Sequence, residues 1–350
     1  MLFPARIAIP ALSASLCIAT LMVGVPDVRA QTATTEFRDD AGRTVTVKTP
    51  ARRVFAAGAP AEVLLYVLAP RLLVGRNHAP SDAALPFIPP ELRRAVPIQN
   101  LPNADDDRYD GELRALTPDL YVDYGTVADD YVESLTHVEA RTGVPGIILD
   151  GGLARIPDVL RRLGSLLGEA QAAESLAAET ERVLGRYRNA LALAGKAPRV
   201  YLACSQNGLV PCLAGTPNGE AADWLGAANV AGGQAGAPRR PATLAEIAAW
   251  QPDVIIAPSP DARDRWLEDP EWAQLAAVRA RRVHAPPGVP FAWGSRPPSV
   301  NRMLGLVWLA YVLPAKPFDD AFLADIRSLF RTYYHVDVTD AQIHSLVDGS

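Results

Sequence analysis

The sequence predicts an α/β protein of two lobes, each built on a central parallel sheet, joined by one long helix. Three observations predict it. Short apolar runs of strand character alternate with amphipathic stretches on both sides of the chain's middle. A helical periodicity runs unbroken from Pro157 to Ala194. The segment ELRALTPDLYV beginning at Glu112 returns as EIAAWQPDVII beginning at Glu246, an offset of 134 residues at which Glu, Ala, Pro and Asp coincide. Each copy reads as a short helix, a Pro-Asp turn and a buried strand, so the two halves are related lobes.

In chain order, TEFRDDAGRTVTV (35–47) alternates around Asp-Ala-Gly-Arg and predicts a hairpin at the edge of the first sheet. Strands follow at RVFAA from Arg53, LLVG from Leu72, LYVD from Leu120 and GIIL from Gly146, with helices over Ala61 to Leu68 and Asp129 to Arg141. Apolar residues on both faces of such strands need cover on both sides, which is the requirement of a Rossmann-like parallel sheet. Between the halves, Leu160, Leu163, Leu167, Ala170, Leu176, Val183, Leu184 and Leu191 recur at three- and four-residue steps, the pattern of one amphipathic helix. From Gly168 on alone, that helix would extend roughly 40 Å at about 1.5 Å per residue, enough to bridge two lobes. The alternation then resumes with RVYLA from Arg199, a helix near Glu220 to Leu225, VIIA from Val254, a helix near Pro270 to Arg279 and RRVH from Arg281. The expected boundaries are 1–30, 31–152 for the first lobe, 153–196 for the bridge, 197–316 for the second lobe and 317–350 for a helical tail that packs back on a lobe.

With 49% hydrophobic and 21% charged residues over 350 positions, the chain is ordinary globular protein, long enough for two cores. A net charge of -5 and the lack of any basic run with interleaved aromatics argue against nucleic-acid binding. Arg6, the apolar run Ile7 to Val25 and Val28-Arg29-Ala30 before Gln31 form a secretory signal, so the expected mature chain starts at Gln31 and works in the periplasm. An uncleaved membrane anchor is the alternative, weakened by Pro10, Ser13, Ser15 and Thr20. Cys17 lies mid-run after bulky Leu16, which speaks against a lipid anchor. Cys204 and Cys212 remain after export, and in an oxidising compartment a disulfide between them is the leading reading. Two buried thiols, or metal ligation by the pair, are the alternatives.

The opening hairpin followed by RVFAAGAPAEVLLYVL, the two helix-Pro-Asp-strand units, the bridging helix and PPSVNRMLGLVWLA together resemble the periplasmic solute-binding proteins of iron-complex, heme and cobalamin ABC importers, over about Glu36 to Pro314. The Pro-Pro-Ser-Val-Asn-Arg segment and the YYHVDVTDAQ tail are similar to a subgroup labelled iron-complex binding. The resemblance implies a monomeric partner of an inner-membrane ABC permease, with an outer-membrane TonB-dependent receptor system upstream, no intrinsic cofactor, and a small metal complex as cargo. A ferric siderophore-like chelate is the first choice; heme, cobalamin, a nickel chelate or molybdate are the alternatives. It also implies a docking glutamate on each lobe, at Glu112 and Glu246. The competing reading of these two is an acid that complements its helix dipole, worth about 0.3–1 kcal/mol.

Ligands of parallel sheets bind beyond the carboxyl ends of the strands. The segments there are Gly58 to Ala61, Arg76-Asn77-His78, Tyr124-Gly125, Ser205-Gln206-Asn207 and Phe291 to Arg296. Arg76 and Arg296 suit anionic oxygens, because a guanidinium can bond two at once. Tyr124, Phe291 and Trp293 could line an apolar wall or stack on a planar chelate, or else fill the lobe core. Asn77, Ser205 and Gln206 supply hydrogen bonds, and His78 is the histidine placed to coordinate a metal. His137, His284, His335 and His344 form no close-ligand pattern, and the Asp105-Asp106-Asp107-Asp110 run reads as a solvated loop. No GxSxG, P-loop, GxGxxG after a strand, or HExxH occurs, which argues against an enzyme. A ligand sensor and an unrecognised periplasmic enzyme are the readings of another class.

Overall fold

The computed structural model describes residues 33–348 except 75–79, 94–106, 196, 233–239 and 295–296. The expected signal segment (1–30), Arg76, Asn77, His78, Arg296 and the acidic residues Asp105 and Asp106 therefore lie outside the described residues.

Strands β1 (Ala33–Arg38) and β2 (Thr44–Thr49) pair antiparallel, with Phe37 opposite Val45. They form a two-stranded sheet of their own. Only the turn edges the first parallel sheet: the Asp40 N–H donates to Ile148 O at 3.0 Å, and the Asp150 N–H donates to Asp40 Oδ2 at 2.8 Å. That sheet holds β3 (Val54–Ala56), β4 (Leu120–Gly125) and β5 (Gly146–Asp150), in that order and all parallel. The strand expected from Leu72 is reduced to a single parallel bridge between Leu73 and Val54, because a helical turn occupies Pro70–Leu72. The second sheet holds β6 (Arg199–Leu202), β7 (Ala228–Asn229), β8 (Val254–Ile256) and β9 (Val283–His284) in the order β7-β6-β8-β9, again parallel.

The internal repeat is a repeat of contacts as well as letters. Asp119 Oδ2 accepts the N–H of Arg53 at 3.1 Å, and Asp253 Oδ2 accepts that of Arg199 at 2.8 Å. The Arg53 guanidinium donates to Leu116 O and Thr117 O; that of Arg199 donates to Trp250 O and Gln251 O. Thr117 and Gln251 share a left-handed backbone, at φ 44° and 45°. Each Pro-Asp turn thus pins the start of one strand to the start of its neighbour.

The long bridging helix expected over Pro157 to Ala194 is two helices, Ile156–Leu167 and Ala170–Tyr187, with a further helical turn at Ala190–Leu193. Gly168, at φ 74°, ends the first: its own N–H returns to Ser165 O and that of Glu169 to Gly164 O. The helices then pack on each other. A Cβ built on Gly164 would lie 2.2 Å from Ala173 Cβ, so glycine there permits the close crossing. Apolar periodicity continued through Gly168 because both helices bury the same kind of face. The second helix, of 18 residues, spans roughly 27 Å, not 40.

Ala33–Ser350 hold together as one compact unit. Its largest apolar core contains Val54, Val122, Ile147 and Leu149 of the first sheet and Val200, Leu202, Val254 and Ile256 of the second. Helices Ala59–Leu68, Ala170–Tyr187, Arg302–Val312 and Asp320–Tyr334 complete it. The C-terminal tail is therefore structural cement. Asp325, buried on the Asp320–Tyr334 helix, accepts from Arg182 at 2.7 Å and from the Tyr187 hydroxyl at 2.6 Å.

Candidate functional site

The carboxyl ends of the two sheets meet along a seam, and the seam is built around glycine and one arginine. After β4, Gly125 adopts φ 151°; after β5, the Gly151 N–H donates to Gly125 O at 2.7 Å. A Cβ on Gly151 would lie 2.8 Å from Gly125 Cα, so only glycine allows the two strand ends this close.

The segment Pro297–Arg302 crosses the seam. The Ser299 hydroxyl donates to Pro60 O at 2.7 Å, at the start of the Ala59–Leu68 helix that follows β3. Asn301 Nδ2 donates to Ala292 O and to Pro297 O. Arg302 is 1% exposed and opens a helix whose other residues are all buried. Its Nε donates to Ser299 O at 3.0 Å, its Nη1 to Pro217 O at 2.8 Å and to Glu220 Oε2 at 3.0 Å, and its Nη2 to Gly151 O. Glu220 Oε2 also accepts the Leu153 N–H at 2.9 Å. One guanidinium therefore ties the end of β5 to the helix Glu220–Leu225 of the other lobe. The sequence signal was available: an arginine followed by MLGLVWLAYVL has to be buried with the helix it begins, and a buried cation needs partners.

Beside this joint lies a cavity of about 50 Å³ whose lining includes Cys212, Asn218, Trp293, Arg302, Gly305 and Trp308. It has room for a few waters and is far too small for a chelate. Asn218, Ala221, Pro258, Ala292 and Gly294, all half-buried, form its outer rim. That rim is thus made of small, mostly apolar residues.

Cys204 and Cys212 are joined by a disulfide, with Cα atoms 5.2 Å apart. It closes a hairpin that continues β6, in which the Cys204 N–H donates to Val210 O and the Cys212 N–H to Leu202 O. Ser205 Oγ accepts the Val210 N–H at 3.0 Å and contacts Asn207, so Ser205 shapes the turn. Gln206 is exposed at the tip and accepts from the Ser259 hydroxyl at 3.0 Å.

Two of the aromatic residues expected to face the cargo are buried. Trp293 has no exposed surface, donates through Nε1 to Val289 O at 2.9 Å and packs edge-on to Phe330. Tyr124 is 1% exposed, and burial pushes its phenol up to about 12 against the opposing pull of Arg302. The physical reason is the shared core: both side chains point into the helical layer between the sheets, not across the cleft. Phe291, half-buried, packs edge-on to Tyr66. Glu246 completes a capping box with Thr243 and pairs with Arg240 at 2.7 Å, and these partners hold its exposed carboxyl at about 2. Glu112, half-exposed, lies on the Asp107–Ala115 helix. Among the described residues no group of three or more His, Cys, Asp or Glu is arranged to hold a metal ion.

Two parallel sheets tied together through Arg302 and sharing one helical core make a two-lobed α/β fold. The family model for periplasmic binding proteins matches residues 112–288, just over half of the chain, and the chain belongs to that family. The family is one of transport binding proteins, not of enzymes. The chain is 32% identical over 94 residues to the molybdate-binding protein MolA of Haemophilus influenzae, a match that spans about a quarter of each protein (26% of each). In fold it is similar to an ABC transporter solute binding protein from Sulfurospirillum deleyianum (TM-score 0.74, 18% identity, 89% of this chain and 98% of that one). It is likewise similar to MolA bound to molybdate (0.69, 19%, 87% and 99%) and to Helicobacter pylori CeuE in a nickel-histidine complex (0.65, 15%, 90% and 99%). At these identities the structural likeness speaks for the fold.

Proposed function

We propose that this protein captures a small metal complex in the cleft above the Arg302 seam and delivers it to an ABC permease of the inner membrane, after export and removal of residues 1–30. The observation that carries the reading is the seam itself: Arg302 ties the carboxyl end of β5, the end at which parallel sheets bind ligands, to the Glu220–Leu225 helix of the second lobe. A ferric siderophore-like chelate remains the first choice of cargo, with Arg76, Asn77, His78 and Arg296 as contacts from the strand-end loops and with Ser205 and Gln206 at the rim. Heme, cobalamin or a nickel chelate would use the same surface. Molybdate is the second reading, favoured by the sequence match to MolA. Delivery would use Glu112 and Glu246, the latter by exchanging Arg240 for a permease arginine. A TonB-dependent receptor would supply the cargo, and the protein would act as a monomer with no resident cofactor.

A shared core limits how far the lobes can close, so binding should stabilise the protein without a large change of shape. In a thermal-melting panel of ferric siderophores, heme, cobalamin, nickel with and without histidine, and molybdate, one solute is expected to raise the midpoint. At a hundredfold excess over Kd the gain is about 2.7 kcal/mol. A panel in which no solute shifts the midpoint would move weight to a sensor of some other solute.

A further inference from the structure

The 50 Å³ cavity beside Arg302 lies at the ligand-binding end of the second sheet. Leu202 and Ala203 line it at the end of β6, Ile256, Ala257 and Pro258 at the end of β8, and Pro286 just beyond β9. These are the carboxyl ends of three neighbouring parallel strands, the place where such sheets take ligands. Ala221 and Ala222 of the Glu220–Leu225 helix and the rings of Trp293 and Trp308 supply more of the wall.

The chemistry of that wall is apolar. Trp293 Nε1 is committed to Val289 O at 2.9 Å, Cys212 is bonded to Cys204, and the Arg302 guanidinium already donates to Ser299 O, Pro217 O, Glu220 and Gly151 O. Asn218 stands on the half-buried rim. A cavity poor in free polar groups stays dry and accepts apolar guests. An unfilled space in a close-packed core also deprives its lining atoms of contacts, which a guest restores. Two glycines keep the space open. A Cβ on Gly294 would lie 2.9 Å from Pro286 Cγ, and one on Gly305 would lie 1.9 Å from Trp293 O, so neither position admits a side chain without moving the cavity's own wall.

We infer that this pocket is a subsite for a small alkyl group of the cargo, of about two or three heavy atoms. It is too small for the whole solute and suited to one substituent of it. The inference rests on the cleft being the cargo site and narrows the cargo: an organic complex has an apolar group to place there, and a bare oxyanion such as molybdate has none.

Xenon, an apolar guest of dry cavities, tests the pocket without knowledge of the cargo. In nitrogen-15-labelled protein under xenon pressure, the indole N–H signals of Trp293 and Trp308 should shift saturably. Those of Trp266 and Trp272, stacked 4.3 Å apart in a separate core cluster, should stay in place. Ala221→Leu adds volume from the rim and should abolish the xenon shifts. It should also weaken the solute that stabilises the parent about tenfold, the worth of roughly two buried methylenes. Ala292→Val, from the 291–294 loop, should do the same if the leucine variant melts early. No saturable shift of Trp293 and Trp308, or a solute bound equally by the parent and by a folded variant, would overturn the inference. Loss of the xenon site alone would leave the binding-protein reading untouched, since the solute panel decides it separately.

Discussion

Replacing Arg302 with methionine is expected to cost about 3–5 kcal/mol of stability at neutral pH, the range for breaking a buried ion pair from one side. The guanidinium is 1% exposed and serves Ser299 O, Pro217 O, Gly151 O and Glu220 Oε2. Methionine fills similar volume but leaves the three carbonyls and a carboxylate without their donor. Because those acceptors belong to different lobes, the loss should appear in the cooperative unfolding of the whole unit. Urea unfolding of parent and variant, followed by far-UV circular dichroism, measures it. A change below about 1 kcal/mol would mean that the seam is held elsewhere. Lysine should rescue little, since one ammonium cannot reproduce the planar fork.

Gly305→Ala is the second large effect, and here the cause is space. A Cβ on Gly305 would fall 1.9 Å from the carbonyl oxygen of Trp293, and that neighbour is backbone, which cannot rotate away. Either the Arg302–Val312 helix or the 291–294 loop has to shift, a cost of about 1–3 kcal/mol. The shift should expose Trp293 and move tryptophan emission to longer wavelength. Gly185→Ala is the matched control. Gly185 lies on the exposed face of the Ala170–Tyr187 helix with nothing within 4 Å of its built Cβ. Alanine there should stabilise by about 0.5–1 kcal/mol through helix propensity alone. Equal effects of the two substitutions would refute the packing argument.

The order of strands and helices was legible because it is written in local pattern. RVYLA, VIIA, LYVD and GIIL are all strands, and Glu220–Leu225 is the helix expected there. The repeat at Glu112 and Glu246 was legible for the same reason, and Asp119 and Asp253 give it a shared mechanical role. What escaped was whatever depends on one backbone torsion or on distant partners. Gly168 interrupts a periodicity that the two helices around it share. The helix Pro260–Glu268 has too few apolar residues to advertise itself. Trp293 and Tyr124 sit at strand ends, where exposure was the natural expectation, but the helical layer covers them. Strand-end position points to Arg296, whereas Arg302 is the arginine followed by a run of apolar residues that forces burial. Its partners Gly151, Pro217 and Glu220 lie 82 to 151 positions away, beyond any local reading.

The central claim is that the cleft above the seam binds one small metal complex reversibly and releases it unchanged. Isothermal titration of the purified protein with the solute that raises its melting temperature, followed by mass analysis of the recovered solute, tests this most directly. The account predicts one site per chain, submicromolar affinity and a solute of unaltered mass. Binding with no defined stoichiometry, or a chemically changed solute, would contradict it.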